Sequence, residues 1–100
     1  SVDQPLTRVN QILFVTDLQS HVLAINSQTG EVIWQQDQLA YRGLTGPSYI
    51  AGLNVIVVGD KQGYLHFLSA KNGRIMARIS VGQSPIVGQP MVIGTTVNVL

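Results

Sequence analysis

Apolar positions along the chain come in short bursts separated by turn residues, and no window carries the 3.6-residue period of a helix. Residues 11–16, 21–26, 31–36, 48–51, 54–59, 64–69, 74–80 and 91–93 each have the length and composition of a β-strand. Between them lie Asp17-Leu18-Gln19-Ser20, Gly52-Leu53, Asp60-Lys61-Gln62-Gly63 and Gly94-Thr95, all rich in residues that favour turns. Two longer polar links, 37–46 and 81–89, run into Pro47 and Pro90. Residues 1–10 are mixed and polar; they receive no strand in this reading and do not resemble a signal peptide.

One stretch repeats. Ala24-Ile25-Asn26-Ser27-Gln28-Thr29-Gly30-Glu31-Val32-Ile33-Trp34 reads as a strand end, a tight turn and a new strand. Asn26 suits the start of that turn, because its side chain accepts bonds from N–H groups just ahead. Gly30 suits the position that closes it with φ > 0. Gly73 stands 43 residues after Gly30, Asp60 the same distance after Asp17, Pro90 after Pro47 and Ile93 after Ile50. Matches gather at turns and strand starts, where backbone geometry restricts residue choice most. The chain then divides into residues 1–51, a blade link and first full repeat; 52–94, a second repeat; and 95–100, the start of a third.

Four short strands every 43 residues predict an all-β fold, the four-stranded antiparallel blades of a β-propeller. Ile12-Leu13-Phe14-Val15 and Val55-Ile56-Val57-Val58 are continuous apolar runs, as expected when both faces of a strand are covered. Two repeats do not close a ring, and each blade needs neighbours on both sides. The expectation is therefore a fragment of a longer propeller, or one completed by other chains.

Only 11% of the residues are charged, for a net charge of +1. That is little charge for a small domain, and it predicts apolar surface that meets protein outside this chain. No basic stripe marks a nucleic-acid face. With no cysteine, disulfides and thiolate sites are excluded. No run is long enough for a membrane-crossing helix.

Ala24-x-Asn26-x-x-Thr29-Gly30-x-x-x-Trp34 resembles the repeat of the quinoprotein-type (PQQ-like) propellers, with Asn in place of Asp. The resemblance implies that Trp34 packs against the adjacent blade. The second copy departs from the pattern, with Phe67, Ser69, Asn72 and Ala77 at the corresponding places. A narrower resemblance rests on residues 34–47, on Val57-Val58-Gly59-Asp60-Lys61-Gln62-Gly63-Tyr64-Leu65 and on Asn72-Gly73-Arg74. These are similar to the last blades of the BamB family. That resemblance implies part of an eight-bladed propeller on the periplasmic face of the bacterial outer membrane. It implies a non-enzymatic, cofactor-free scaffold lipoprotein of the β-barrel assembly (BAM) complex. Such a protein docks on the POTRA domains of BamA beside other BAM subunits and assists unfolded outer-membrane protein clients. Its only membrane contact would be an N-terminal lipid on a cysteine outside this chain.

Leu39-Ala40-Tyr41-Arg42-Gly43 is similar to a partner-contacting loop of that family. Leu39, Tyr41 and Arg42 then add to a partner surface, where aromatic residues and Arg are enriched. The alternative is structural, with Arg42 bonding carbonyls between blades and Leu39 and Tyr41 packed beneath the loop. Asp17 and Asp60 invite an acid–base pairing, but their equivalent places predict that each ties down its own hairpin. His21 and His66 occupy unmatched positions with no carboxylate near by spacing, and are expected to be packed or solvated, not metal-bound. Lys61, Lys71, Arg74 and Arg78 are read as solvating charge. The rival function is a quinoprotein dehydrogenase, whose calcium and cofactor cage this chain does not supply. A receptor sensor domain is a third class, disfavoured by the narrower match.

Overall fold

A computed structural model describes residues 5–100. Ten strands follow in chain order: β1 (Leu6–Val9), β2 (Ile12–Thr16), β3 (Val22–Asn26), β4 (Val32–Gln36), β5 (Ser48–Ile50), β6 (Val55–Gly59), β7 (Tyr64–Ser69), β8 (Ile75–Ser80), β9 (Met91–Ile93) and β10 (Thr96–Asn98). They form antiparallel sheets β1-β2-β3-β4 and β5-β6-β7-β8 and the pair β9-β10, with each strand beside its neighbour in sequence. No helix occurs among the described residues. The fold is two propeller blades and the first hairpin of a third.

The sheets begin one strand earlier than the division 1–51, 52–94 and 95–100. Ser48 faces Val57 and Ile50 faces Val55, so β5 opens the second sheet and does not close the first. The reason is connection length. A four-residue turn, Ala51–Asn54, brings β5 and β6 into a hairpin, with Asn54 at φ 53°. Eleven residues separate β4 from β5, which is too long for a hairpin and suits a step between blades. For the same reason β9 opens the third sheet at Met91. The first sheet needs an inner strand too, and Leu6–Val9 supplies it. Its alternation of half-buried and exposed residues around polar Thr7 and Arg8 hides it from a search for apolar runs.

The faces pack as stacked blades. Phe14, Val22 and Ala24 of the first sheet meet Ile56, Val58, Leu68 and Ala70 of the second, with Leu39 of the link filling in. Ile50, Val55, Val57 and Leu65 pack on the other side of the second sheet with Ile86, Val92, Val97 and Val99. β6 lies between the two clusters, and all five of its residues are buried. Each such aliphatic side chain contributes about 1.5–3 kcal/mol on burial. The innermost strands are tied through links. Thr7 Oγ1 donates to the Pro47 carbonyl at 2.6 Å, and Gln89 Nε2 reaches the same carbonyl at 2.6 Å. Outer strand β8 keeps Met76 and Ile79 exposed on the side away from the first sheet.

Candidate functional site

The two aspartate turns are built alike. Asp17 Oδ1 accepts from the N–H groups of Gln19 and His21, both at 2.9 Å. Asp60 Oδ1 accepts from Gln62 N at 2.8 Å and Tyr64 N at 3.0 Å. In each case the carboxylate bonds the N–H groups two and four residues ahead, which fixes the turn and starts the next strand. The second oxygen takes a histidine: Asp17 Oδ2 lies 2.7 Å from His21 Nδ1, and Asp60 Oδ2 lies 2.7 Å from His66 Nε2.

At Asp60 a further group arrives from the preceding blade link. Arg42 Nε donates to Asp60 Oδ2 at 3.0 Å, Arg42 Nη2 approaches the same oxygen at 2.9 Å, and Nη2 also donates to Gln62 Oε1 at 3.1 Å. Asp60 is fully buried, and His66 nearly so. Burial raises the Asp60 pKa; the bonds from His66, the Tyr64 and Gln62 N–H groups and Arg42 outweigh it, so the carboxyl sits below its ordinary 3.8. The ionised carboxylate only accepts, so His66 Nε2 carries the proton between them. A paired, hydrogen-bonded buried charge of this kind fixes geometry: removing one partner costs about 3–5 kcal/mol because the other is left uncompensated.

That anchor shapes the link above it. Arg42 O accepts from Lys61 N at 3.1 Å, and Tyr41 N donates to Gln19 O at 2.9 Å, so the loop bridges the Asp17 turn of one blade and the Asp60 turn of the next. Leu39 is buried in the core between the sheets. Tyr41, held between Leu39 and Arg42, stands 82% exposed with φ +64°. A bulky residue in the left-handed region is an outlier that its surroundings must enforce.

The second contact between blades is aromatic. Trp34 Nε1 donates to the Ala70 carbonyl at 2.9 Å, and Gln36 Nε2 to the Gly73 carbonyl at 2.8 Å. The indole lies flat enough on the β7–β8 turn that a Cβ on Gly73 would come within 2.4 Å of Trp34 Cε3. Gly73 must be glycine on two counts, since its φ is +77°. Asn26 Oδ1 accepts from Gln28 N and Thr29 N, and Thr29 Oγ1 from Glu31 N, while Ala24 is buried opposite Trp34.

The structure thus brings Arg42 and Asp60 together and separates Leu39, a core residue, from Tyr41, a surface one. Asp17 and Asp60 lie in different turns and form no pair. The expectation that neither histidine has a carboxylate near it fails, because each bonds the aspartate of its own turn. Both contacts form across a turn, where the alternation of an extended strand does not hold, so spacing along the chain gives no signal for them. Lys71 and Arg74 lie near the β7–β8 turn, Lys61 packs by Gly43, and Arg78 stands on β8 over the Tyr64 ring. No three His, Cys, Asp or Glu side chains among the described residues converge as a metal site.

A family model described as outer membrane protein assembly factor BamB matches residues 1–100. The chain belongs to the BamB family. The BamB of Francisella tularensis is 46% identical over 69 residues, 69% of this chain and 15% of its own length. The BamB of Legionella pneumophila is 40% identical over 88 residues, 88% of this chain and 22% of its own length. The chain therefore spans less than a quarter of these BamB proteins. The crystal structure of BamB from Moraxella catarrhalis superposes with a TM-score of 0.83 at 31% identity, over 94% of this chain and 28% of that one. A quinohemoprotein alcohol dehydrogenase from Comamonas testosteroni shares the blade architecture, with a TM-score of 0.78 at 26% identity over 97% of this chain and 16% of that one. The relatives named by sequence are outer-membrane assembly factors, and the dehydrogenase is the weaker likeness.

Proposed function

We propose that this BamB-family chain is part of a non-enzymatic scaffold lipoprotein that works at the periplasmic face of the bacterial outer membrane. It docks on the POTRA domains of BamA, beside other BAM subunits, and assists the insertion of outer-membrane proteins. One observation carries the reading beyond the family: the strained, exposed Tyr41 is presented by a loop that Leu39 and the Arg42–Asp60 pair hold rigid. A rigid aromatic flanked by Arg is the usual make-up of an interface hot spot, because little conformational entropy is lost on docking. Leu39 and Arg42 serve the interface indirectly, by fixing the loop.

The dehydrogenase alternative finds less support in these residues. The buried carboxylate of Asp60 already accepts from four groups, and no cluster of metal-binding side chains stands beside it among the described residues. The test is affinity purification of the full-length protein from membranes in mild detergent. BamA is retained on the scaffold reading, and retention drops when Tyr41 is replaced by alanine. Loss of BamA from the unaltered protein removes the scaffold reading.

A further inference from the structure

A second feature lies beside the loop and shares its anchors Leu39 and Arg42. Between the 37–43 link and outer strand β8 is a cleft of about 310 Å³, lined by Gln38, Leu39, Arg42, His66, Ile75 and Arg78. Both of its walls belong to this chain. Two guanidinium groups share one aromatic ring there: Arg78 Cζ is 4.6 Å from the Tyr64 ring centroid, and Arg42 Cζ is 5.9 Å from it. Of the two, Arg42 alone has a carboxylate among the described residues, and that carboxylate, Asp60, is saturated by two backbone N–H groups, His66 and Arg42 itself. Arg78 forms no ion pair among the described residues. Among the described residues the cleft therefore holds one cation more than its anions balance, against a ring that orients Arg78 and apolar lining from Leu39 and Ile75. Like charges so placed are relieved by an incoming anion, and a guanidinium fixed on an aromatic face presents its donors as a ready fork for a carboxylate.

We propose that this cleft is a docking site for a carboxylate side chain in an acidic segment of a partner protein, with Arg78 as the principal donor. The volume suits a side chain, and the mixture of fork, ring and aliphatic lining suits the carboxylate and methylenes of a glutamate. The site rests on the scaffold reading only in that the molecule acts by docking. Its test is made on the isolated protein and is independent of BamA retention.

The probe is a fluorescein-labelled octapeptide of alternating Glu and Gly, with the Gln–Gly peptide as its uncharged counterpart, read by anisotropy on the full-length protein. The acidic peptide binds and the Gln peptide does not, and added salt weakens the complex. Arg78→Gln weakens binding about tenfold, the loss expected for a charge-assisted pair. Arg74→Gln, which removes the same charge at the β7–β8 turn, leaves it unchanged. Both substitutions lie at exposed positions, and unchanged melting temperatures show that the variants are folded. Equal weakening by Arg74→Gln overturns the site in favour of net charge. Absence of peptide binding, or binding only to vesicles of anionic lipid, overturns the peptide ligand.

Discussion

Placing a methyl group on Gly73 tests how the blades are joined. The position combines a φ of +77° with an indole against its α-carbon, so Gly73→Ala meets two penalties. The left-handed backbone costs roughly 1–2 kcal/mol for a residue with a Cβ. The overlap with Trp34, 2.4 Å from the added carbon, costs about 1–3 kcal/mol more, because the ring is also held by its bond to Ala70 and by Phe14 at 6.1 Å. Gly30 shows the two parts separated: it has the same φ of +77°, and a methyl group there would meet nothing within 4 Å among the described residues. Trp34→Ala alone costs about 3 kcal/mol, the low end for a large aromatic, as the ring is only half-buried. The double variant then decides. With the indole gone, the overlap vanishes and Gly73→Ala retains only the backbone penalty, so the two substitutions are non-additive by about 1–3 kcal/mol. The assay is urea denaturation of the full-length protein for the four members of the cycle. Additive midpoint shifts would refute the argument that the indole and the Gly73 turn form one contact between blades.

Other outcomes follow from the same contacts. Asp60→Asn lowers stability by about 3–5 kcal/mol in chemical denaturation, since Arg42 loses its counter-charge and the carboxylate's buried bonds to His66, Gln62 N and Tyr64 N are disrupted. Because Asp60 and Asp17 are both held below 3.8 when folded, the unfolded chain binds more protons as the pH falls through that range. Their contribution is complete above about pH 5 and is lost progressively below about 3.9, so the acid limb of a stability–pH curve is steep and becomes shallower in Asp60→Asn. Tyr41→Asn raises the melting midpoint by the equivalent of about 0.5–1 kcal/mol, because Asn tolerates the left-handed region, while BamA retention falls. Leu39→Ala costs about 2–5 kcal/mol, as befits a core residue, and weakens docking only through the loop it supports.

The repeating turns make most of the architecture readable from the chain alone. Asp17 and Gly30 and their counterparts Asp60 and Gly73 are dictated by backbone geometry and keep their residue type where packing residues drift, while Ser69, 43 residues after Asn26, keeps only the acceptor role, its Oγ taking Lys71 N at 3.2 Å. Strand β1 is not readable in this way, because its identity comes from pairing with β2 and its own residues are mixed. The start of each sheet falls one strand from where the repeat places it for a related reason: periodicity gives the length of a repeat and not its phase, which the hairpin at Ala51–Asn54 decides. At the candidate site the chain announces Arg42 and Tyr41 but not their different fates. That division comes from the carboxylate of Asp60, 18 residues away in sequence. His66 escapes notice because its bond to Asp60 crosses a turn, where spacing along the chain leaves no trace. The Arg78–Tyr64 stack is equally hidden, for the two residues meet only through the β7–β8 register.

The most direct measurement places a photo-crosslinking amino acid at position 41 of the full-length protein in living bacteria. The expected product is an adduct recognised by antibodies to BamA, which fades when Asp60→Asn releases the loop. A protein that remains bound to BamA yet yields no such adduct from position 41 would contradict it.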